Sequence, residues 1–316
     1  MSLDVVTLGV LCADVMVKPV DAMPDRGKLE LVPDLEIHLG GLAAVTATVL
    51  CQLGATAGVI GQLGNDGFGD YIFNALTANG VDCSSLHRVN GQRTAATVVL
   101  ISHDGERTFL HHVGTNAQVT ESDVDLSLIA KARIFHWGGP SICPSIDGAA
   151  IGRIMKAAKA AGVTTSMDTL YDGKGVWFPH IEHALPHLDI VMSSLEEARM
   201  YTGKHTPEDI ADFYRSFGPE VAMIKLGSDG VYVKDSNESH FITAHKVPVK
   251  DTTGAGDAAC GGFLYGRLQG WDLKRCAQLA NAVGGLTVQQ MGGGEAVSSL
   301  DQVLAFMEGN HAHVAR

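Results

Sequence analysis

A chain of 316 residues with 46% hydrophobic and 18% charged residues can bury a large core and is neither disordered nor fibrous. A formal net charge of -12 excludes nucleic acid as a general partner, because a phosphate backbone demands basic surface, yet leaves room for a local anion site. No apolar run approaches the roughly 18 to 20 residues that span a bilayer, and the six cysteines, scattered without a CxxC pair, read as reduced thiols of a cytoplasmic protein.

Residues 1–10 lack the basic region of a signal peptide and read as a first buried strand, with Val5, Val6 and Leu8 apolar. Residues 11–38 are irregular, because Pro19, Pro24 and Pro33 exclude a long helix. Short apolar, β-branched runs recur at residues 57–60, 133–136, 163–166, 189–192 and 221–224. Helical periodicity fills most gaps, at residues 43–53, 71–79, 148–161 and 207–217. Wholly apolar strands that alternate with helices imply a parallel sheet covered on both faces, an α/β fold. Residues 94–101 and 107–113 flank Asp104-Gly105, which supplies a β-hairpin turn. Together with residues 11–38 this hairpin is expected to form a small β lid over the strand ends. A second hairpin is expected at residues 230–233 and 240–243, and a strand at 246–249. The end of the chain, residues 308–316, reads as a polar tail, with 311–316 outside any domain.

The stretch 251–263 is the most informative. The turn Gly254-Ala255-Gly256 opens a helix of small residues running to about Gln269, so backbone N–H groups at a helix N-terminus can approach a phosphate. That arrangement is an anion hole for charge on a transferring phosphoryl group. Asp257, in the first helical turn, is placed to accept a proton from an alcohol. An isolated Gly-x-Gly-Asp is more often a capped helix; here the whole segment speaks for chemistry.

Over its full length this segment resembles the second signature of the ribokinase-like (PfkB) carbohydrate kinases. Gly40-Gly41 before a helix, then residues 58–61 and 66–69, is similar to the family's first signature. The resemblance covers most of the chain. It implies a three-layer α/β/α fold with a mostly parallel central sheet, a main domain of residues 1–10, 39–93 and 117–310, and a lid of 11–38 and 94–116. It also implies ATP and Mg2+ as cofactors, a small sugar-like substrate, and a homodimer formed through the lid.

Carried onto this sequence, Lys225, Gly227, Ser228, Gly230, Thr253 and Asn281 would contact the nucleotide. Asp14, Gly40, Gly41, Val45 and Asp257 would contact the acceptor. Glu197 would place Mg2+, through water. Asp251 and Thr253, with carbonyls of residues 292–294, would form a monovalent-cation (K+) site. Two departures stand out. Ser194 replaces the family's Asn before Glu197, and Cys12, Leu42 and Val45 stand where ribokinases carry polar residues that bind sugar hydroxyls. Asp14, Arg107, His111, Asn116 and Asp168 remain as polar groups for the pocket. Asp172, Lys174 and Trp177 either line the same mouth or form a structural loop.

The implied activity is ATP-dependent phosphorylation of a hydroxyl on a sugar or sugar derivative, with Asp257 as base. A nucleoside kinase of the same fold is the alternative, and from another class a non-catalytic ligand-binding homologue. A Rossmann dehydrogenase is excluded, since no G-x-G-x-x-G follows the first strand.

Overall fold

The computed structural model describes residues 3–103, 106–294 and 296–309. The hairpin-turn residues 104–105 and the expected tail 311–316 lie outside the described residues.

The first half of the chain alternates between a body and a lid. Strand β1 (Val5–Gly9) is followed by β2 (Cys12–Lys18) and β3 (Asp34–Gly40), then α1 (Leu42–Gln52), β4 (Ala57–Gly64), α2 (Gly67–Ala78) and β5 (Leu86–Val89). The hairpin β6 (Ala96–Ile101) and β7 (Arg107–His112) returns to the lid, before α3 (Leu126–Ile129) and β8 (Ile134–Gly138). The second half is regular: α4 (Ala149–Ala160), β9 (Thr164–Asp168), β10 (Ile190–Ser194), α5 (Leu195–Thr202), α6 (Pro207–Ser216) and β11 (Val221–Lys225). The hairpin β12 (Gly230–Lys234) and β13 (Ser239–Thr243) precedes α7 (Ala255–Leu268), α8 (Leu273–Thr287) and α9 (Leu300–Met307).

Nine strands form the central sheet in the order β13-β12-β11-β10-β9-β8-β1-β4-β5, parallel except at the β11-β12-β13 edge. Neighbouring residues along each strand feed opposite faces. Val5, Met192 and Met223 join a core beneath α1, α7 and α8. Val6, Val191 and Ala222 join a second core beneath α4 and α6. Two apolar faces on every central strand explain why these segments read as unbroken hydrophobic runs. The result is three layers.

The lid is a separate four-stranded sheet, β3-β2-β6-β7. Its register aligns Asp14, Thr97 and His111 in one row, and Ile37, Val15, Val98 and Leu110 in the next. Since side chains alternate across a strand, successive rows face opposite sides. Asp14, Met16, Thr97 and Val99 are buried on the inner side, and Met16, Val99 and Ile101 pack on Met291 of the body. On the outer side Leu35, Ile37 and Leu110 are exposed.

Two expectations need correction. Residues 11–38 contain two strands, irregular only over 19–33, because β2 and β3 pair with each other and need no long sequence period to be stable. Residues 246–249 form no strand; the chain past β13 is extended but has no ladder partner.

Candidate active site

The C-terminal ends of β1, β8, β9, β10 and β11 and the N-termini of α1 and α7 meet under the lid. Helix α7 begins at Gly254, which adopts φ +71 as its N-cap. Any Cβ there would meet the Cα of Gly293, so glycine is required both by conformation and by the close approach of the loop at 291–294. Further along α7, Gly261 and Gly262 let the helix press against Val49 of α1 and Val283 of α8. Of the expected anion-hole donors, the Ala255 N–H is already drawn to the Thr252 carbonyl at 3.3 Å.

Asp257 lies in the first turn of α7, and its own backbone carbonyl accepts a hydrogen bond of 3.0 Å from Thr46 Oγ1 on α1. Burial, then the neighbouring charge of Asp168, push its carboxyl up to about 8, with Lys225 opposing and Glu197 and Asp14 adding to the rise. Its carboxyl thus titrates near neutral pH rather than in the ordinary carboxylate range.

Under this turn lies an ion pair that the sequence did not announce. Lys225 Nζ contacts both oxygens of Asp168 at 2.7 Å, with only 12% and 1% of the two side chains exposed. Burial pushes the Asp168 carboxyl up and Lys225 opposes it. For the ammonium, burial works downward, Asp168 upward, and the net is upward. The two short contacts decide for an ionised pair. A Cβ on Gly256 would stand 3.2 Å from Lys225 Nζ, so the ammonium underlies the anion-hole turn itself.

Glu197 is the third residue of α5. Its Oε2 accepts from Thr169 Oγ1 at 2.8 Å and from the Ser194 N–H at 3.4 Å, while Ser194 Oγ accepts from the Glu197 N–H. Ser194 and Glu197 form a reciprocal capping box, which a serine completes as well as an asparagine would. Burial raises the Glu197 carboxyl, with Lys225 opposing.

On the acceptor side, Asp14 is 8% exposed, and burial raises its carboxyl against hydrogen bonds from Thr97 and Cys12. A side chain on Gly40 would run into that carboxylate. Cys12 Sγ, Thr97 Oγ1 and His111 Nδ1 continue the chain of contacts at 3.1 and 3.0 Å. Gly41 caps α1 without a side chain.

Other expected positions make the following contacts. Val45 is fully buried in the core, where the first turns of α1 are packed on all sides. Asn116 is fully buried and clamps both backbone polar groups of Leu11, so it is a structural tie. Asp172 accepts from the N–H groups of Lys174, Val176 and Trp177 and shapes its own loop. Asn281 donates to the Thr243 carbonyl at 2.9 Å, joining α8 to β13. Gly227 and Ser228 form an exposed turn closed by the Leu226 N–H to the Gly230 carbonyl.

At the lid's edge Asp251 is sequestered. Its Oδ1 accepts from the Thr253 N–H at 2.9 Å and Oγ1 at 2.7 Å, its Oδ2 from the Gly292 N–H at 3.0 Å, and Arg107 Nη1 stands 3.9 Å away.

A family model described as "pfkB family carbohydrate kinase" matches residues 3–300. The chain belongs to that family. This pfkB kinase is 31% identical over 289 residues to fructokinase-1 of Oryza sativa subsp. japonica, covering 85% of this chain and 88% of the relative. Among solved structures, an Arabidopsis thaliana ribokinase complexed with ribose and ATP superposes with a TM-score of 0.84 at 26% identity, over 98% of this chain and 99% of that one. A candidate ribokinase II from E. coli, in complex with ATP and Mg2+, gives 0.86 at 25% identity over 98% and 100%. The pfkB kinase therefore has the ribokinase-like three-layer fold and is a carbohydrate kinase, a phosphotransferase with an alcohol group as acceptor. Among the described residues, no helix is long and apolar enough to cross a membrane.

Proposed function

We propose that this kinase transfers the γ-phosphoryl group of ATP in line to a hydroxyl of a sugar or sugar derivative, with Asp257 taking the proton. The observation that carries the reading is the environment of Asp257, a carboxyl raised to about 8 beside the positive end of α7. A base works best when its pKa lies near the operating pH. The N–H groups of Gly254 and Gly256 meet the charge on the moving phosphoryl group, joined by Ala255 once its long bond to Thr252 gives way. Asp14 orients the acceptor through its hydroxyls, and the tight packing of Gly40 against Asp14 fixes that carboxylate. The turn Gly227–Gly230, with Thr253 and Asn281, borders the nucleotide. Lys225 acts beneath the site, holding Asp168 and the turn at Gly256.

Magnesium suits this setting, since the carboxylates of Asp168, Glu197 and Asp14 lie near enough to Asp257 to raise its carboxyl, and hard divalent ions take such oxygen ligands. When bound it neutralises charge on the phosphates. Glu197 would hold it through water, its Oε2 being shared with Thr169. The exposed aliphatic rows of the lid's outer face support a homodimer in which two lids cover each other. Six free cysteines agree with a reducing, cytoplasmic compartment.

The test is ADP release from Mg-ATP against fructose, ribose, other sugars, sugar acids and nucleosides, with Asp257→Asn as control. Turnover with a sugar that falls by about 100-fold or more in the variant supports the mechanism, given the usual worth of a general base. Equal turnover in the variant refutes it.

A further inference from the structure

Among the described residues, the lid reaches the anion-hole segment through the side chain of Arg107. Arg107 opens β7, immediately after the hairpin turn, and so belongs to the part of the lid furthest from its root. Its Nη1 lies 3.2 Å from Thr253 Oγ1 and 3.9 Å from Asp251 Oδ1. The guanidinium rests over the Phe109 ring at 5.6 Å, and the side chain stays 28% exposed. Asp251, in contrast, has a side chain with no exposure at all. A buried carboxylate needs compensation by hydrogen bonds and by positive charge. Three donors satisfy its oxygens, two of them from Thr253 and one from Gly292. Among the described residues, Arg107 is the cation that forms an ion pair with it.

The family resemblance places a monovalent ion at this carboxylate. The residues present do not fit one well. Asp251 Oδ1 already takes two hydrogen bonds and has the guanidinium 3.9 Å away, so an ion at that oxygen would share it with a fixed positive charge, a repulsive arrangement in a partly desolvated site. The loop at Gly292, the other expected wall, is tied to Oδ2 and pressed against His38 and Gly254.

We propose that Arg107 is the built-in cation of the Asp251 loop. Closure of the lid delivers its guanidinium to Thr253 and Asp251, and this holds the turn that carries Gly254, Gly256 and Asp257. No monovalent ion is taken up while the lid is shut. Arg107 is thus a positioning residue that couples lid closure to assembly of the anion hole. The idea rests on the phosphoryl-transfer reading for its purpose, but not for its test.

The experiment compares wild type and Arg107→Met by thermal unfolding in KCl and in tetramethylammonium chloride at equal ionic strength, with no acceptor present. Methionine keeps the apolar stem, and a partly exposed lid residue does not threaten folding. A ligand that binds the folded state raises the midpoint by mass action. The expected result is a wild type indifferent to the salt and a variant that gains about 2 °C or more specifically in KCl, a shift readable for a chain of this size. A wild type stabilised by KCl overturns the proposal, and so does a variant as indifferent as the wild type. Arg107→Lys, which keeps a cation, should remain indifferent. With a sugar found to be an acceptor, turnover of Arg107→Met should fall and recover in part with KCl. The thermal result stands even where every acceptor fails, so it is separable from failure of the kinase mechanism.

Discussion

Removing one partner of the Lys225–Asp168 pair should be far more damaging than removing both. Lys225→Met leaves Asp168, which is 1% exposed, without its counter-charge, and Glu197 and Asp257 lose the same neighbour. Breaking a buried pair from one side costs about 3–5 kcal/mol. With an unfolding entropy of about 2.1 cal/mol/K per residue, 316 residues give about 0.66 kcal/mol/K, so the midpoint should fall by about 5–8 °C. Asp168→Asn should cost less, because Glu197 and Asp257 still compensate the ammonium. The double variant Lys225→Met/Asp168→Asn should recover at least half of the loss caused by Lys225→Met alone. The assay is thermal unfolding of the four proteins at pH 7, read as a double-mutant cycle. A Lys225→Met midpoint within 2 °C of wild type, or a double variant equal to the sum of the singles, would refute the pairing argument.

Other outcomes follow from the same geometry. Asp257 has a folded pKa of about 8, raised above the ordinary carboxylate value, so the ligand-free protein should lose stability as pH rises from about 4 to 8. Asp257→Asn should lack that component, and its midpoint advantage over wild type should therefore widen from pH 5 to pH 8.5; a constant difference would contradict the raised pKa. Gly254→Ala forces a non-glycine residue into φ +71 and a Cβ against Gly293. It should destabilise by at least about 1–2 kcal/mol from the left-handed backbone alone and, in an ADP-release assay, lower turnover by about 100-fold. Ile37→Lys, on the outer row of the lid, should yield a monomer in sedimentation while leaving the fold intact by circular dichroism. A dimer in that variant would place the interface elsewhere.

The alternation of apolar strands and periodic helices was legible because each depends on a window of a few residues. So was the turn 254–256 with Asp257, where glycine and a helix start lie side by side. Local reading failed where partners are remote. Asp168 and Lys225 meet because β9 and β11 flank β10, which sets Asp168 beside Met192 and Lys225 beside Ser194 at the same end of the sheet. Their sequence separation is 57 residues, that of Arg107 and Thr253 is 146, and that of Asn116 and Leu11 is 105. A polar residue read alone could equally line a pocket or close a loop. Asn116 and Asp172 bond nearby backbone groups and Lys225 pairs with a buried charge, contacts that no local window announces. The sequence by itself determined the layers and the helix-opening turn that carries Asp257. Strand order and lid register, set by tertiary packing, decided which charges stand beneath Asp257 and which arginine reaches the loop beside it.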